Sequence, residues 1–139
     1  MKSEGGQESA NLWIANFGYN QSWRVEKNPR YMADVNGDGR ADIVGFGNAG
    51  VSVSLSTGKN FDAESLWVAN YGYTAGGWRV DMHPRYMADV NGDGLADIVG
   101  FGNSGVYVSL STGSGFTSPS MWVAKFGYSA GGRRVEKHP

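Results

Sequence analysis

The sequence has no cysteine, no excess of either charge and no long apolar run. Without cysteine, disulfides and zinc or iron–sulfur sites built on thiolates are excluded. The 12 basic and 13 acidic residues give a net charge of −1 and no basic footprint for nucleic acid. No apolar stretch approaches the ~20 residues of a membrane span, and the first eleven residues lack the hydrophobic core of a signal peptide. The compartment is left open.

Proline is also scarce, with 4 residues, whereas glycine (22 residues) and aromatic residues (13%) are abundant. Many turns and rings with little charge predict short strands joined by tight loops. No apolar pattern with a period of 3.6 residues is found, so a helical solenoid is not expected. We expect residues 1–11 to form a flexible N-terminal segment and residues 12–139 to form the folded part.

Internal repeats organise the chain. The stretch "RYMADVNGDGRADIVGFGNAGVSVSLSTG" (30–58), the strand unit, returns at 85–113. A second stretch, the loop unit, spans 12–29 and returns at 66–84 and at 121–139. The two units alternate with a period of about 55 residues, which is typical of a repeat architecture. The strand units differ only at Arg40/Leu95, Ala49/Ser104 and Ser52/Tyr107.

Each period contains four short strand candidates, "YMADV", "ADIVGFG", "GVSVSLST" and "LWVANF". In the third, Val51, Val53 and Leu55 alternate with serines, which predicts a strand with one buried face. "ADIVGFG" is an apolar run bounded by turn residues and predicts a strand buried on both faces. Four antiparallel strands in about 55 residues correspond to one propeller blade. The sequence therefore predicts an all-β fold with two four-stranded β-propeller blades per chain.

Two blades cannot close a ring, because arrays of this kind need about three or more repeats to bury their apolar faces. Two readings follow: a fragment that folds poorly alone, or closure of the ring by homo-oligomerisation. Three copies would supply six blades, and we expect this trimer. The half-repeat 121–139 would then complete a blade of another copy. The similarity of the strand units indicates recent duplication or deliberate construction.

The turn "DVNGDGRAD" places oxygen donors with the 1, 3, 5, 7, 9 spacing of a calcium loop. Position 12 of an EF-hand would be a bidentate Glu but is Gly45 here, so an EF-hand is excluded. The alternative is a metal-free turn in which the side chains cap backbone amides. The candidate structural Ca²⁺ ligands are Asp34, Asn36, Asp38, the carbonyl of Arg40, and Asp42 in the first copy. In the second copy they are Asp89, Asn91, Asp93, the carbonyl of Leu95, and Asp97.

This loop, followed by "GFGNAGVSVSLSTG", resembles the FG-GAP-type calcium repeats of integrin-like propellers. With "WVANYGY", "GGWRV" and "HPR", the chain from Leu12 onward resembles the Psathyrella velutina lectin family of fungal propeller lectins. The resemblance implies binding of terminal N-acetylglucosamine, and in some members sialylated glycans, in pockets between neighbouring blades. It also implies a difference in length, since a full member closes its ring within one chain.

Each loop unit combines aromatic and hydrogen-bonding side chains in a Gly-rich stretch, as surface loops with a function often do. A pyranose needs this mixture, with a ring against its C–H face and polar groups on its hydroxyls. The candidates in the middle unit are Asn70, Tyr73, Trp78, Arg79, His83 and Arg85. In the outer units they are Tyr19, Trp23, Arg24, Tyr128, Arg134 and His138. The contact of His83 and His138 with sugar is implied by the resemblance.

Several of these residues have a purely structural alternative. Arg79 could pair with Asp81, and His83 could be a hydrogen-bonded turn residue. The units also differ, since the first has Asn28 in place of His83 and the last has Arg133 in place of Trp78. We therefore expect the middle unit to form the strongest site.

The leading interpretation is a multivalent lectin, because repeated weak pockets gain avidity on a multivalent target. The alternative is an integrin-like protein-adhesion module without sugar binding. An enzyme is not expected, because the serines have no neighbouring base and six of the 13 acidic residues lie in the calcium-type loops. We expect no nucleic-acid partner and no membrane insertion.

Overall fold

The computed structural model describes residues 10–129, and eight strands are found there. The first sheet contains β1 (Arg30–Ala33), β2 (Asp42–Phe46), β3 (Val51–Ser54) and β4 (Ser65–Val68). The second contains β5 (Arg85–Ala88), β6 (Asp97–Phe101), β7 (Val106–Ser109) and β8 (Ser120–Val123). The only helical element in this part of the chain is a 3₁₀ turn at Tyr19–Gln21. In residues 10–129 no helix is long and apolar enough to cross a membrane.

Both sheets are antiparallel meanders, in the orders β1-β2-β3-β4 and β5-β6-β7-β8. The register is the same in each, with Tyr31 opposite Val44 and Tyr86 opposite Val99. The third strand has an irregularity at Val51/Ser52 in one sheet and at Val106/Tyr107 in the other. The predicted all-β fold with two four-stranded blades is confirmed. The predicted flexible segment 1–11 lies outside the described residues except for positions 10 and 11, and stays a prediction.

The main core lies between the two blades and under the loop unit that joins them. Val44 and Phe46 from β2 and Ile98 from β6 are all fully buried. Tyr71 and Trp78 of the middle loop unit pack into the same cluster. The blades are also linked by hydrogen bonds, from Ser111 Oγ to the carbonyl of Val35 (2.6 Å) and from the Ala96 amide to the carbonyl of Asp34 (2.9 Å).

The strand β3 differs from its prediction, because all four of its residues are buried. Ser52 and Ser54, expected on an open face, are 7% and 0% exposed. The alternation of Val and Ser therefore does not separate a wet face from a dry one. The reason is that a loop unit covers the serine face, as Tyr71 OH shows by bonding Ser109 Oγ at 2.8 Å in the second blade. One face of β2 is fully buried, with Asp42, Val44 and Phe46 at 0% exposure. On the other face Gly45 is buried but Ile43 is half-buried, so the prediction that β2 is buried on both faces is wrong at Ile43. The equivalent Ile98 of the second blade is 0% exposed, because it packs into the core shared with the first blade.

Candidate functional site

Two pockets occupy equivalent places on the two blades. Each lies between a loop unit and the turn that joins the second and third strands of the blade that follows it. The second-blade pocket has a volume of about 370 Å³ and is lined by Asn70, Trp78, His83, Asn103, Ser104 and Tyr107, among others. The first-blade pocket has a volume of about 210 Å³ and is lined by Trp23, Asn28, Asn48, Ser52 and Glu64, among others. Three of the predicted residues of the middle unit, Asn70, Trp78 and His83, are therefore brought together.

The loop unit enters each pocket through an unusual backbone turn. Phe17, Tyr71 and Phe126 occupy equivalent positions and have φ values of 61°, 61° and 63°. A left-handed backbone at an aromatic residue is uncommon and needs support from its surroundings. The preceding Asn supplies it, since Asn70 Oδ1 accepts the Tyr71 amide at 2.6 Å and also the Trp78 indole N–H at 3.1 Å. This turn fixes the Trp78 ring at the pocket.

Trp78 lines the second-blade pocket and is only 7% exposed, so its ring forms the floor of that pocket. Its ring centroid lies 5.0 Å from Tyr71, 5.4 Å from His83 and 6.3 Å from Tyr107. The indole N–H of Trp78 is bonded to Asn70 Oδ1, so only the exposed edge of the ring can contact a ligand. Tyr107, which is half-buried, stands on the wall beside it. The equivalent Trp23 is more exposed, because Ser52 replaces Tyr107 in the first blade.

His83 is held by both of its ring nitrogens. Nδ1 accepts the Arg79 amide at 3.0 Å, so Nε2 carries the proton and donates to Asn103 Oδ1 at 2.8 Å. In the first unit Asn28 makes the same two bonds. Its Oδ1 accepts the Arg24 amide at 3.1 Å, and its Nδ2 donates to Asn48 Oδ1 at 3.2 Å. His83 and Asn28 therefore both orient the Asn side chain of the neighbouring turn.

Asn48 and Asn103 were missed as candidates from the sequence. Their side-chain oxygens accept from Asn28 and His83, which leaves each Nδ2 as a donor at the pocket. Their backbone is fixed too, since the Asn48 carbonyl accepts the amides of Thr74 and Ala75. The signal that could have found them is the invariant "GFGN" at the end of β2 and β6, where a polar residue follows a buried strand.

The predicted Tyr and Arg residues of each loop unit stack on each other. The Arg24 guanidinium lies 3.6 Å from the centroid of the Tyr19 ring, and Arg79 lies 3.6 Å from that of Tyr73. Arg79 also donates to the Tyr73 carbonyl at 2.7 Å, so it does not pair with Asp81 in the way considered from the sequence. None of these four residues lines the pockets described above. They form the outer support of the loop.

Arg85 is placed between the blades and away from the pockets. It is 1% exposed and donates to the carbonyls of His83 (3.1 Å) and Tyr71 (2.8 Å). Burial lowers the pKa of its guanidinium to about 10. Tyr128 approaches the second-blade pocket, with its ring centroid 6.3 Å from that of His83. The remaining candidates, Arg134 and His138, lie outside the described residues.

The two calcium-type loops, residues 34–42 and 89–97, bring their carboxylates together. Oxygens of Asp34, Asp38 and Asp42 lie within 4.8 Å of one another, as do those of Asp89, Asp93 and Asp97. The backbone also uses these groups, since both oxygens of Asp42 accept amides, from Val35 at 3.1 Å and Ser56 at 2.8 Å. Arg40 pairs its side chain with Asp38 at 3.1 Å.

The loop carboxylates have displaced pKa values. Burial, reinforced by the neighbouring carboxylates, raises the pKa of Asp42 and of Asp97. The backbone amide of Gly94 is the main cause that lowers the pKa of exposed Asp89. An all-oxygen set of three carboxylates that repel one another is the donor chemistry that Ca²⁺ prefers.

No protein-family profile and no curated protein matches the sequence. Among solved structures, the chain is similar to a lectin of Agrocybe aegerita, with 47% identity, a TM-score of 0.86 and 90% of this chain covered. That lectin specifically recognises non-reducing terminal N-acetylglucosamine. The chain spans 32% of the length of that lectin. The resemblance to fungal N-acetylglucosamine-binding lectins that the sequence motifs indicate is thus confirmed in both sequence and fold.

Proposed function

We propose that this protein is a lectin that binds terminal N-acetylglucosamine in the two blade pockets. The observation that carries the proposal is the pair of pockets in which an aromatic floor lies beside an oriented Asn donor, repeated on both blades. The similarity to a lectin that recognises this sugar supports the same specificity.

The residues divide the work of recognition. Asn103 Nδ2, with its oxygen used by His83, donates to the acetamide carbonyl of the sugar, and Asn48 Nδ2 does the same in the first blade. The exposed edge of Trp78 and the ring of Tyr107 cover the apolar face of the sugar. Since both ring nitrogens of His83 are used within the protein, its role is to position Asn103. We also propose that the chain acts by binding alone, without catalysis.

The test is a calorimetric titration of N-acetylglucosamine into the full chain, with glucose as the matched sugar that lacks the acetamide. Wild type should show two sites per chain, Asn103→Ala should lose the second-blade site, and Asn48→Ala should lose the first-blade site. Asn60→Ala, an exposed Asn of the Thr57–Asn60 turn, is the matched control and should keep both. Equal binding of both sugars, or no heat from folded protein, would contradict the proposal and favour the adhesion module.

The two pockets should differ towards sialylated glycans. Glu64 lines the first-blade pocket, where it accepts a hydrogen bond from Asn16 Nδ2 at 2.7 Å. The second-blade pocket has Pro119 at its lining and no carboxylate among its described residues. A sugar with its own carboxylate is therefore repelled by the first pocket and accepted by the second.

We propose further that Ca²⁺ binds the two calcium-type loops and has a structural role. The donor set fits, because three carboxylates lie within 4.8 Å in each loop and their mutual repulsion is relieved by a cation. These loops join the first two strands of each blade and lie apart from the sugar pockets. Calcium should therefore stabilise the blade without changing the residues that contact sugar.

We also propose that copies of the chain assemble into a ring, with three copies supplying six blades. Each copy would contribute two pockets, and linked pockets raise avidity for a multivalent glycan by roughly 10²–10⁴. No nucleic-acid or membrane partner is proposed.

A further inference from the structure

Within the chain, the two blades meet through one face of each. The trailing face of a blade carries a Tyr, a Val and a Phe, and in the first blade these are Tyr31, Val35 and Phe46. The leading face carries an Arg, a Met and an Ile, and in the second blade these are Arg85, Met87 and Ile98. Val35, Phe46 and Ile98 are fully buried by this contact, and the Arg85 guanidinium lies 5.7 Å from the centroid of the Phe46 ring.

The other two faces of the same kinds are open in this chain. On the trailing face of the second blade, Tyr86 is 51% and Val90 is 37% exposed, where Val35 is 0% exposed. On the leading face of the first blade, Met32 is 55% exposed and Arg30 is exposed. Each open face has the same side chains as a face that is buried elsewhere in the molecule.

We propose that the trailing face of the second blade binds the leading face of the first blade of a second copy of this chain. Because the two strand units carry the same Tyr, Val and Phe on the trailing face and the same Arg, Met and Ile on the leading face, the contact between blades within one chain can be repeated between chains. This deepens the proposed assembly by naming its surface, and it does not depend on sugar binding. The contact joins two different faces, so it builds head-to-tail assemblies, which form rings where the rotation closes, rather than two-fold dimers.

The hydroxyl group of Ser56 can make the hydrogen bond that Ser111 makes between the blades. Ser111 Oγ accepts from the Gly113 amide at 3.2 Å and donates to the Val35 carbonyl at 2.6 Å. Its counterpart Ser56 accepts from the Gly58 amide at 3.1 Å, and no bond from its hydroxyl hydrogen is found within residues 10–129. In the repeated contact this hydroxyl donates to the Val90 carbonyl of the neighbouring copy.

One substitution between the strand units adds charge complementarity. Leu95 lies over Gly37, since its Cδ2 atom is 2.9 Å from where a Cβ of residue 37 would be. Arg40 holds the equivalent position in the first blade and would lie over Gly92 of the neighbouring copy. Asp93 follows that glycine, and Asp89 Oδ1 accepts its amide at 2.8 Å. The contact between chains therefore gains an attraction that the contact within a chain lacks, and it weakens as salt increases.

The repeated contact requires one tryptophan of a loop unit to replace another. Trp67 of β4 packs on Phe116 of the next blade, with ring centroids 5.3 Å apart. Its counterpart in β8, Trp122, is 52% exposed, and the Phe61 it would meet in the next copy already contacts that copy's own Trp13 at 5.6 Å. The segment around Trp13 belongs to no sheet, whereas β8 is paired with β7. Trp122 therefore displaces Trp13 when copies join.

The test is sedimentation velocity of the full 139-residue chain over a concentration series, in calcium-containing buffer. Wild type should form species heavier than the 14.9 kDa chain. Val90→Asp should weaken association by about tenfold or more, because it places a charge in an apolar contact. Val80→Asp is the matched control, since Val80 is also 37% exposed but lies on neither face. Circular dichroism of each variant should show an unchanged fold.

Two further pairs of variants separate this surface from any other. Arg40→Glu should weaken association and Arg40→Leu should retain it, because Leu is the residue at the buried contact. Trp122→Ala should weaken association, whereas Trp13→Ala should strengthen it by removing the competitor. A monomeric wild type, or equal effects of Val90→Asp and Val80→Asp, overturns the proposal. Since none of these residues lines a pocket, a failure here leaves the sugar titration as an independent result.

Discussion

Adding one hydroxyl to Phe17 should stabilise the first blade, and removing the same hydroxyl from Tyr71 should destabilise the second. The two rings occupy equivalent places, with centroids 5.0 Å from Trp23 and from Trp78. Tyr71 OH bonds the buried Ser109 Oγ at 2.8 Å. The counterpart of Ser109 is Ser54, which is 0% exposed and has no hydrogen-bond partner among the described residues.

The magnitude follows from the state of the two serines. A typical net hydrogen bond contributes about 0.5–1.5 kcal/mol, and an unsatisfied buried group costs about 1–3 kcal/mol. Phe17→Tyr should therefore raise the free energy of unfolding by about 1–2 kcal/mol, and Tyr71→Phe should lower it by a similar amount. With about 4 °C per kcal/mol for a domain of this size, each change should move Tm by roughly 4–8 °C in opposite directions.

The assay is thermal and urea unfolding of wild type, the two single variants and the double variant. Alkaline pH adds a second readout, because burial raises the pKa of Tyr71 from 10.0 to about 12. The unfolded state ionises first, so the contribution of Tyr71 to stability is present below pH 10 and is lost as pH rises towards 12. Tyr71→Phe should remove this loss. A Phe17→Tyr protein that is no more stable than wild type would refute the equivalence of the two sites.

Three further predictions concern the site and its supports. His83→Asn should keep sugar affinity within about threefold, since Asn28 makes the same two bonds in the first unit. His83→Ala should lose both bonds and weaken sugar binding at the second-blade site by about tenfold or more. Calorimetry measures both affinities, and a His83→Asn protein that binds as poorly as His83→Ala would show that the ring itself contacts sugar. Calcium at about 100 times its Kd should raise the free energy of unfolding by about 2.7 kcal/mol per loop at pH 7. The increase should be smaller at pH 4, because protons compete with calcium for the carboxylates. An equal Tm with calcium and with EDTA would contradict calcium binding by the loops. Gly45→Ala should destabilise by about 1–3 kcal/mol, because its Cβ would lie 2.7 Å from the Trp23 ring. Urea unfolding measures the change, with Gly115→Ala as the control, because a Cβ at position 115 would meet its nearest atom only at 3.8 Å.

The fold could be predicted because the strand units are nearly identical and the strands are bounded by Gly and Asp. The orders of both sheets follow from that repeat, and so do the positions of the calcium-type loops. The burial of Ser52 and Ser54 could not be predicted, because it depends on a loop unit that folds back over the serine face. Alternation in a strand reports two faces, but it does not report what covers each of them.

The site was predicted only in part, for a reason that applies to many loops. Asn70, Trp78 and His83 reach the second-blade pocket, while Tyr73 and Arg79 turn outward onto each other. In the sequence both groups share the same composition, and only the left-handed turn at Tyr71 separates them. Asn103 was not predicted because it lies in a Gly-rich turn with no other candidate residue next to it.

The near-identity of the two strand units also has a consequence for folding kinetics. β3 could pair with β8 as well as with β4, since both partners carry the same Trp-Val pair and the same bulge position. Side-chain recognition therefore cannot choose the partner. The choice is made by the short connection 55–64, which gives β4 a much smaller loop-closure entropy to overcome than β8. During refolding at high concentration this advantage diminishes, and strand exchange between chains competes with correct folding. The short length of the connection 55–64 thus selects the correct strand pairing in a repetitive sequence.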